Sequence, residues 1–84
     1  MISKEELAKL IKEAREMKSK AIGRRYTQKM LADDINKSQS YIGDIESGRT
    51  YPTLVVLGDI VQACGVPGLF SDIEKKIVEG GITP

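Results

Sequence analysis

The side chains that offer chemistry in this chain are mostly amides, hydroxyls and cations, and several are spaced for one end of a short helix. Gln39 and Ser40 follow a possible helix cap, Ser38, and Gly43 and Asp44 come one turn later on the same face. An amide, a hydroxyl and a carboxylate together can donate and accept several hydrogen bonds. This face therefore suits hydrogen-bonded recognition of a polar partner.

Enzymatic chemistry has little support. The 84 residues contain no histidine, so the commonest general base and metal ligand is missing. The one cysteine, Cys64, cannot form a thiolate metal site or an internal disulfide. Asp33 and Asp34 are neighbours that point apart on a helix, which disfavours a shared metal. We expect no enzyme activity, no metal and no cofactor.

Composition is that of one soluble helical domain, with 40% hydrophobic and 30% charged residues. The amino-terminal segment is charged and amphipathic, unlike a secretory signal, and no apolar run is long enough to span a membrane. A single cysteine fits a reducing compartment. We expect a cytoplasmic protein that has no membrane partner.

Charge is unevenly distributed along the chain. Residues 1–30 hold nine Lys and Arg against four Glu, a net +5, whereas residues 31–84 hold four basic and eight acidic residues, a net −4. The basic part could face phosphates while the acidic part points away. Alternatively, these charges only solvate the helices, and charge alone favours neither interpretation.

Hydrophobic periodicity and capping residues predict five helices and no strand. The first spans 4–18, with Ser3 as its cap and an apolar stripe that runs as far as Met17. Residues 19–26 form a basic linker that Gly23 loosens, or else a frayed extension of helix one. A fourth helix begins at Pro52 and Thr53 and ends near Cys64, and a fifth spans 71–79.

Helices two and three form the centre of the pattern. The second begins after Thr27 and ends near Ile35, and the third spans 39–47, with Gly48 as its stop. A sharp corner between them needs a small residue, Ala32, and a residue that tolerates positive φ, Asn36. The apolar seam between the two helices is predicted to consist of Leu31, Ile35, Ile42 and Ile45.

Residues 27–66 resemble the Cro/CI-type helix-turn-helix family, the lambda-repressor-like DNA-binding domains. The matching residues are TQ at Thr27–Gln28, LA at Leu31–Ala32, IESGR at Ile45–Arg49, Pro52, and CGV at Cys64–Val66. The resemblance implies an all-α, compact five-helix bundle with a helix-turn-helix. It also implies a single domain over 1–84 that recognises double-stranded DNA.

Carried over position by position, the resemblance implies roles for individual residues. Base contacts fall to Gln39, Ser40, Gly43 and Asp44. Contacts to the DNA backbone fall to Gln28, Arg49 and Thr50, and Gln28 would also brace the third helix. Beyond the family's positions, backbone contacts are added for Lys37, Ser38, Tyr41, Arg24 and Arg25. For Tyr41, packing against helix four is the alternative. Glu46 resembles the family's glutamate that pairs with an arginine of helix one, for which Arg15 is the candidate.

The sequence departs from the family pattern in three ways. Lys37 stands where an aliphatic residue is usual, so its aliphatic stem would lie along the surface with its ammonium toward phosphate. The segment between Arg15 and Thr27 is about six residues longer than the family's usual turn. These extra residues would reach flanking DNA or merely lengthen helix one. Asp44 places a carboxylate near phosphates, which lowers affinity unless it accepts a hydrogen bond from a cytosine amino group.

The leading hypothesis is a transcriptional regulator, a repressor that binds an inverted repeat as a homodimer without a small-molecule effector. The apolar residues Leu69, Phe70, Ile73 and Ile77 would form the dimer interface, or else they cover the protein's own core. The alternative is an antitoxin-like or adaptor module on the same fold, which Asp44 and the near-neutral net charge favour.

Overall fold

The computed structural model of the chain describes residues 2–66 and residue 68. In this part of the chain there are four helices and no strand: α1 (Lys4–Ile22), α2 (Gln28–Asp34), α3 (Gln39–Glu46) and α4 (Leu54–Ala63). The all-helical prediction is confirmed, but the predicted count of five helices is not matched. The predicted helix 71–79 and the apolar residues assigned to a dimer interface lie outside the described residues.

Helix α1 is longer than predicted, because Gly23 terminates it rather than weakening it. Gly23 adopts the left-handed conformation, with φ of 71°. The Arg24 amide then donates to the Ser19 carbonyl oxygen at 3.2 Å, which closes the last turn. Residues 19–22 are therefore helical and not part of a linker, and only residues 23–26 of the predicted segment are irregular.

The starts of α2, α3 and α4 are fixed by hydroxyl side chains. Thr27, Ser38 and Thr53 each accept a hydrogen bond, 3.1 Å long, from the backbone N–H three residues later. Such caps satisfy donors that have no partner within the helix. Helix α4 begins at Leu54, so Pro52 and Thr53 precede the helix instead of forming its first residues.

The corner between α2 and α3 has the predicted residues. Asn36 has φ of 59° and is the only residue other than glycine with positive φ in the described part of the chain. The Lys37 amide donates to the Ala32 carbonyl oxygen at 2.8 Å. Ala32 is only 1% exposed, and a larger side chain would push the two helices apart.

One apolar core joins all four helices, with α1 against α3 and α4, and α2 against both as well. It consists of Ile2, Leu7, Ile11, Ala14, Tyr26, Leu31, Ala32, Ile42, Ile45, Val56, Leu57, Ile60, Val61 and Cys64. Ile35, which was predicted in the seam, is partly buried against it. The prediction that Met17 belongs to the core is wrong, since Met17 is 53% exposed.

Candidate nucleic-acid interface

The amino end of α3 projects into solvent. Gln39 and Ser40 are both exposed, whereas Ile42 and Ile45 on the opposite side are at most 1% exposed. The helix therefore buries one face and presents the amide and hydroxyl on the other. Because Ser38 caps the first turn, these two side chains stand on a regular helix.

One turn later, the outward face carries Gly43 and Asp44, and both are half-buried. Gly43 lies beside Gln28: a methyl group built at Gly43 would be 3.8 Å from the Gln28 Oε1 atom. The Asp44 Oδ1 atom lies 3.7 Å from Arg49 Nη1; of the two side chains alone, 50% of Asp44 and 79% of Arg49 is exposed. The carboxylate that sequence analysis placed near phosphates thus has a cation beside it.

Arg49 reaches Asp44 because of how α3 ends. Gly48 has φ of 79°, and the Arg49 amide donates to the Asp44 carbonyl oxygen at 3.0 Å. This turn folds the chain back over the last turn of the helix. An ion pair so exposed contributes little to stability, so Arg49 is held only weakly.

Glu46 anchors α3 to the two preceding helices. The Arg15 guanidinium donates twice to its carboxylate, from Nε to Oε2 at 2.9 Å and from Nη2 to Oε1 at 3.0 Å. The Gln28 amide Nε2 donates to the same Oε1 atom at 3.2 Å. With only 2% of its side chain exposed, Glu46 exchanges hydration for three protein donors.

The pair of Arg15 and Glu46 was expected from the resemblance alone, and the structure places the two side chains in contact. Their hydrogen bonds raise the pKa of the Arg15 guanidinium above its ordinary value. The Arg15 guanidinium therefore stays charged at any ordinary pH. The bond from Gln28 was not predicted in this form, although Gln28 was expected to brace α3.

Tyr26 is a structural residue that sequence reasoning missed. Its ring is 2% exposed, and its hydroxyl donates to the Asp34 carboxylate. Burial and this hydrogen bond raise the pKa of the phenol above its ordinary value. Tyr26 lies in an irregular segment, so no hydrophobic periodicity marked it as buried; the only available clue was an aromatic residue among basic ones.

The remaining candidates for backbone contact differ in their surroundings. Lys37, Arg24 and Arg25 are exposed. Tyr41 is half-buried and packs against the core; the alternative to DNA contact was packing against helix four. Thr50 is half-buried, and its hydroxyl donates to the Tyr51 carbonyl oxygen at 3.4 Å.

A helix-turn-helix family model matches residues 11–70, more than two thirds of the chain. The chain belongs to this family. The match agrees with the Cro/CI-type pattern of the sequence and covers α2, the corner and α3. Searches of curated proteins and of solved structures found no match.

Membership assigns this helix-turn-helix protein to the DNA-binding transcription regulators, a family that is generally not enzymatic. Within residues 2–66 and residue 68, no group of three or more carboxylate or thiol side chains is placed to hold a metal ion. No helix in the same part of the chain is long and apolar enough to cross a membrane.

Proposed function

We propose that this protein is a sequence-specific repressor that binds an inverted-repeat operator as a homodimer. The observation that carries the proposal is the exposure of Gln39 and Ser40 at the amino end of a braced helix. In proteins of this kind, such a helix lies in the major groove with its first residues against base edges. A glutamine there can pair with adenine through two hydrogen bonds.

The contacts proposed to the bases are those of Gln39, Ser40, Gly43 and Asp44. Gly43 would bring bare backbone close to the groove. Asp44 would accept a hydrogen bond from a cytosine amino group, with Arg49 as the cation that keeps its charge tolerable beside phosphates. Around this face, the groups proposed against phosphates are Gln28, Lys37, Ser38, Tyr41, Arg49, Thr50, Arg24 and Arg25.

Four of these groups already have partners within the protein: Gln28, Ser38, Arg49 and Thr50. Two of them, Ser38 and Gln28, retain hydrogen-bonding capacity for DNA. The Ser38 hydroxyl accepts the capping bond, but a hydroxyl that accepts can still donate its proton to a phosphate. The Gln28 amide uses one N–H on Glu46 and keeps a second donor. A protein-facing contact and a phosphate contact are therefore compatible at these two positions.

Two features support a dimer: the small number of base pairs that one helix can contact, and the apolar residues near the carboxyl terminus. One short helix contacts few base pairs, so two copies related by twofold symmetry would double the site. The residues proposed for the interface are Leu69, Phe70, Ile73 and Ile77. No small-molecule effector is invoked, and the proposed location is the cytoplasm.

Selection from randomised DNA duplexes at two salt concentrations tests this function. We expect an enriched inverted repeat whose half-site centres are about 10 base pairs apart, and an affinity that falls steeply with salt. Enrichment of a single half-site would remove the dimer from the proposal. Absence of any enriched sequence would reject the proposed function.

The second candidate function is an antitoxin-like or adaptor module whose main partner is a protein. Asp44 on the outward face favours it, and so does a groove of about 550 Å³ between the end of α2 and α4 that is flanked by Asp34 and Asp59. Acidic surfaces such as these repel DNA. This candidate predicts no enriched duplex and a protein partner that carries basic residues.

A further inference from the structure

The segment between α1 and α2, residues 23–26, is a short basic turn that we call the basic elbow. It contains Arg24 and Arg25, both exposed, between Gly23 and the buried Tyr26. Neither arginine makes a salt bridge within the part of the chain that the structure describes. Two cations are thus presented to solvent immediately before α2.

Both ends of the basic elbow are held on α1. At the first end, the Arg24 amide donates to the Ser19 carbonyl oxygen at 3.2 Å. At the second, the Tyr26 amide donates to the Ser19 hydroxyl at 2.8 Å, and the Arg15 Nη1 atom donates to the Tyr26 carbonyl oxygen at 2.9 Å. Ser19 in turn donates to the Arg15 carbonyl oxygen at 3.2 Å.

The Arg15 guanidinium therefore holds both the basic elbow and α3. Arg15 binds the Tyr26 backbone with Nη1, and it binds Glu46 of α3 with Nε and Nη2. The position of the basic elbow relative to α3 is consequently fixed by hydrogen bonds of 2.9 to 3.0 Å. A side chain on a backbone that is already positioned loses less entropy when it binds a phosphate than a side chain on a loose arm.

We propose that the basic elbow is a second DNA-binding site, which takes the phosphates of duplex just outside the base pairs read by α3. This inference rests on the proposed function. Gln28 is one of the residues proposed to contact a phosphate, and the basic elbow precedes Gln28 by two to five residues. Guanidinium groups suit phosphate oxygens because they donate two parallel hydrogen bonds. Ser19 is the positioning residue of this site.

The test compares two duplexes that share the enriched sequence. One ends at the outermost base pair of that sequence, and the other continues for a further helical turn on each side. We expect wild-type protein to bind the longer duplex more tightly. The variant R24Q/R25Q should bind both equally, because it lacks the groups that use the flank.

Salt provides a second readout on the longer duplex. Two lost phosphate contacts should reduce the slope of log affinity against log salt by about 2. The affinity advantage of wild type over R24Q/R25Q should then shrink roughly tenfold between 50 and 200 mM salt. The matched control K9Q/K12Q removes two exposed cations from the amino-terminal half of α1, away from the basic elbow. Its affinity should depend on flank length as that of wild type does.

The variant Ser19→Ala tests whether Ser19 positions the basic elbow. It keeps both arginines and removes the hydroxyl that accepts a hydrogen bond from the Tyr26 amide. We expect part of the flank contribution to disappear while the preferred base sequence stays unchanged. If R24Q/R25Q still gains affinity from the flank as wild type does, the inference is wrong, although the proposed function stands. If no sequence is enriched at all, the proposed function itself fails.

Discussion

At the scale of single residues, Gln39 gives the most direct test of the proposal that α3 reads DNA. Its side chain is exposed at the start of the helix, where an amide can form two hydrogen bonds with one adenine. Changing Gln39 to Ala should relax the preference at one base pair and cost about 1–3 kcal/mol there. Binding to a panel of single-base variants of the enriched duplex measures both effects.

The control for this prediction is Gln62, an exposed glutamine on α4. Gln62→Ala should leave the whole panel unchanged. An unaltered preference in Gln39→Ala would show that a different residue of α3 faces the bases.

Arg49 should behave in the opposite way. Its pairing with Asp44, at 3.7 Å and largely exposed, is too weak to withhold the guanidinium from a phosphate. Arg49→Ala should weaken binding to all sequences alike and reduce the salt slope by about 1. Titrations at several salt concentrations, on the enriched duplex and on unrelated DNA, measure this change.

The companion variant for Arg49 is the double change R49A/D44N. It removes the carboxylate that Arg49→Ala leaves without its cation, so it should recover part of the lost affinity on unrelated DNA, where the proposed contact of Asp44 with cytosine does not operate. A selective loss at one base pair in Arg49→Ala would instead assign Arg49 to base reading.

At the scale of helices, Glu46 determines how α3 is held. Its side chain is 2% exposed and carries three hydrogen bonds from α1 and α2. Glu46→Gln leaves Arg15 without its counter-charge in a partly buried place, and breaking such a pair costs about 3–5 kcal/mol. Denaturant unfolding should show a loss close to the lower end of that range, since Arg15 keeps some contact with water.

Asp33→Asn is the matched control for Glu46→Gln, because it also replaces a carboxylate by an amide. The partner of Asp33 is Lys29 on the same helix, at 3.5 Å, and both side chains are more than 60% exposed. Such a pair contributes about 0.5 kcal/mol or less. Equal losses in the two variants would contradict the anchoring role of Glu46.

Most helix boundaries could be predicted from the sequence because their causes are local. Thr27, Ser38 and Thr53 cap the helices that follow them, and Asn36 adopts the positive φ that the corner needs. Each of these features depends on a residue and its near neighbours only. The end of α1 was predicted four residues too early because Gly23 has two possible meanings, a weak helix residue or a stop.

What the sequence could not give were the contacts between distant segments. Met17 has the spacing of a core residue but lies at the edge of the stripe and is 53% exposed, whereas Tyr26 is buried from an irregular turn. Both outcomes depend on which other helix passes nearby. The pair of Arg15 and Glu46 was accessible only through the family resemblance, since 31 residues separate the two.

At the scale of the whole molecule, the burial of Cys64 in the core makes the free energy of unfolding depend on pH in the alkaline range. Its thiol is 3% exposed, and burial raises the pKa of Cys64 to about 11. An unfolded thiol has a pKa of about 8.5, so the folded state binds this proton more tightly. The resulting stability is fully present below about pH 8.5 and is lost as pH rises towards 11.

Unfolding of wild type and Cys64→Ala at several pH values between 8 and 11 measures this effect. The variant should be less stable near neutral pH, because it leaves a small cavity. The difference should narrow by on the order of 2 kcal/mol at the alkaline end. Tyr26, whose pKa is raised in the folded state, is present in both proteins, so its contribution to the pH dependence cancels in the comparison. Parallel curves would show that the thiol ionises as readily in the folded state as in the unfolded state.

Gly43 has no side chain, so the surface of α3 is indented at this position. A change there should affect the stability of the protein and its affinity for DNA in opposite directions. A methyl group would meet only the Gln28 Oε1 atom, at an ordinary 3.8 Å, so Gly43→Ala should raise the free energy of unfolding by up to about 1 kcal/mol. The same methyl would project from the helix at a position that is proposed to lie against the bases. We expect thermal melts to show a higher melting temperature for Gly43→Ala and duplex titrations to show a weaker affinity. One added carbon atom would thus stabilise the protein while it weakens the fit to DNA.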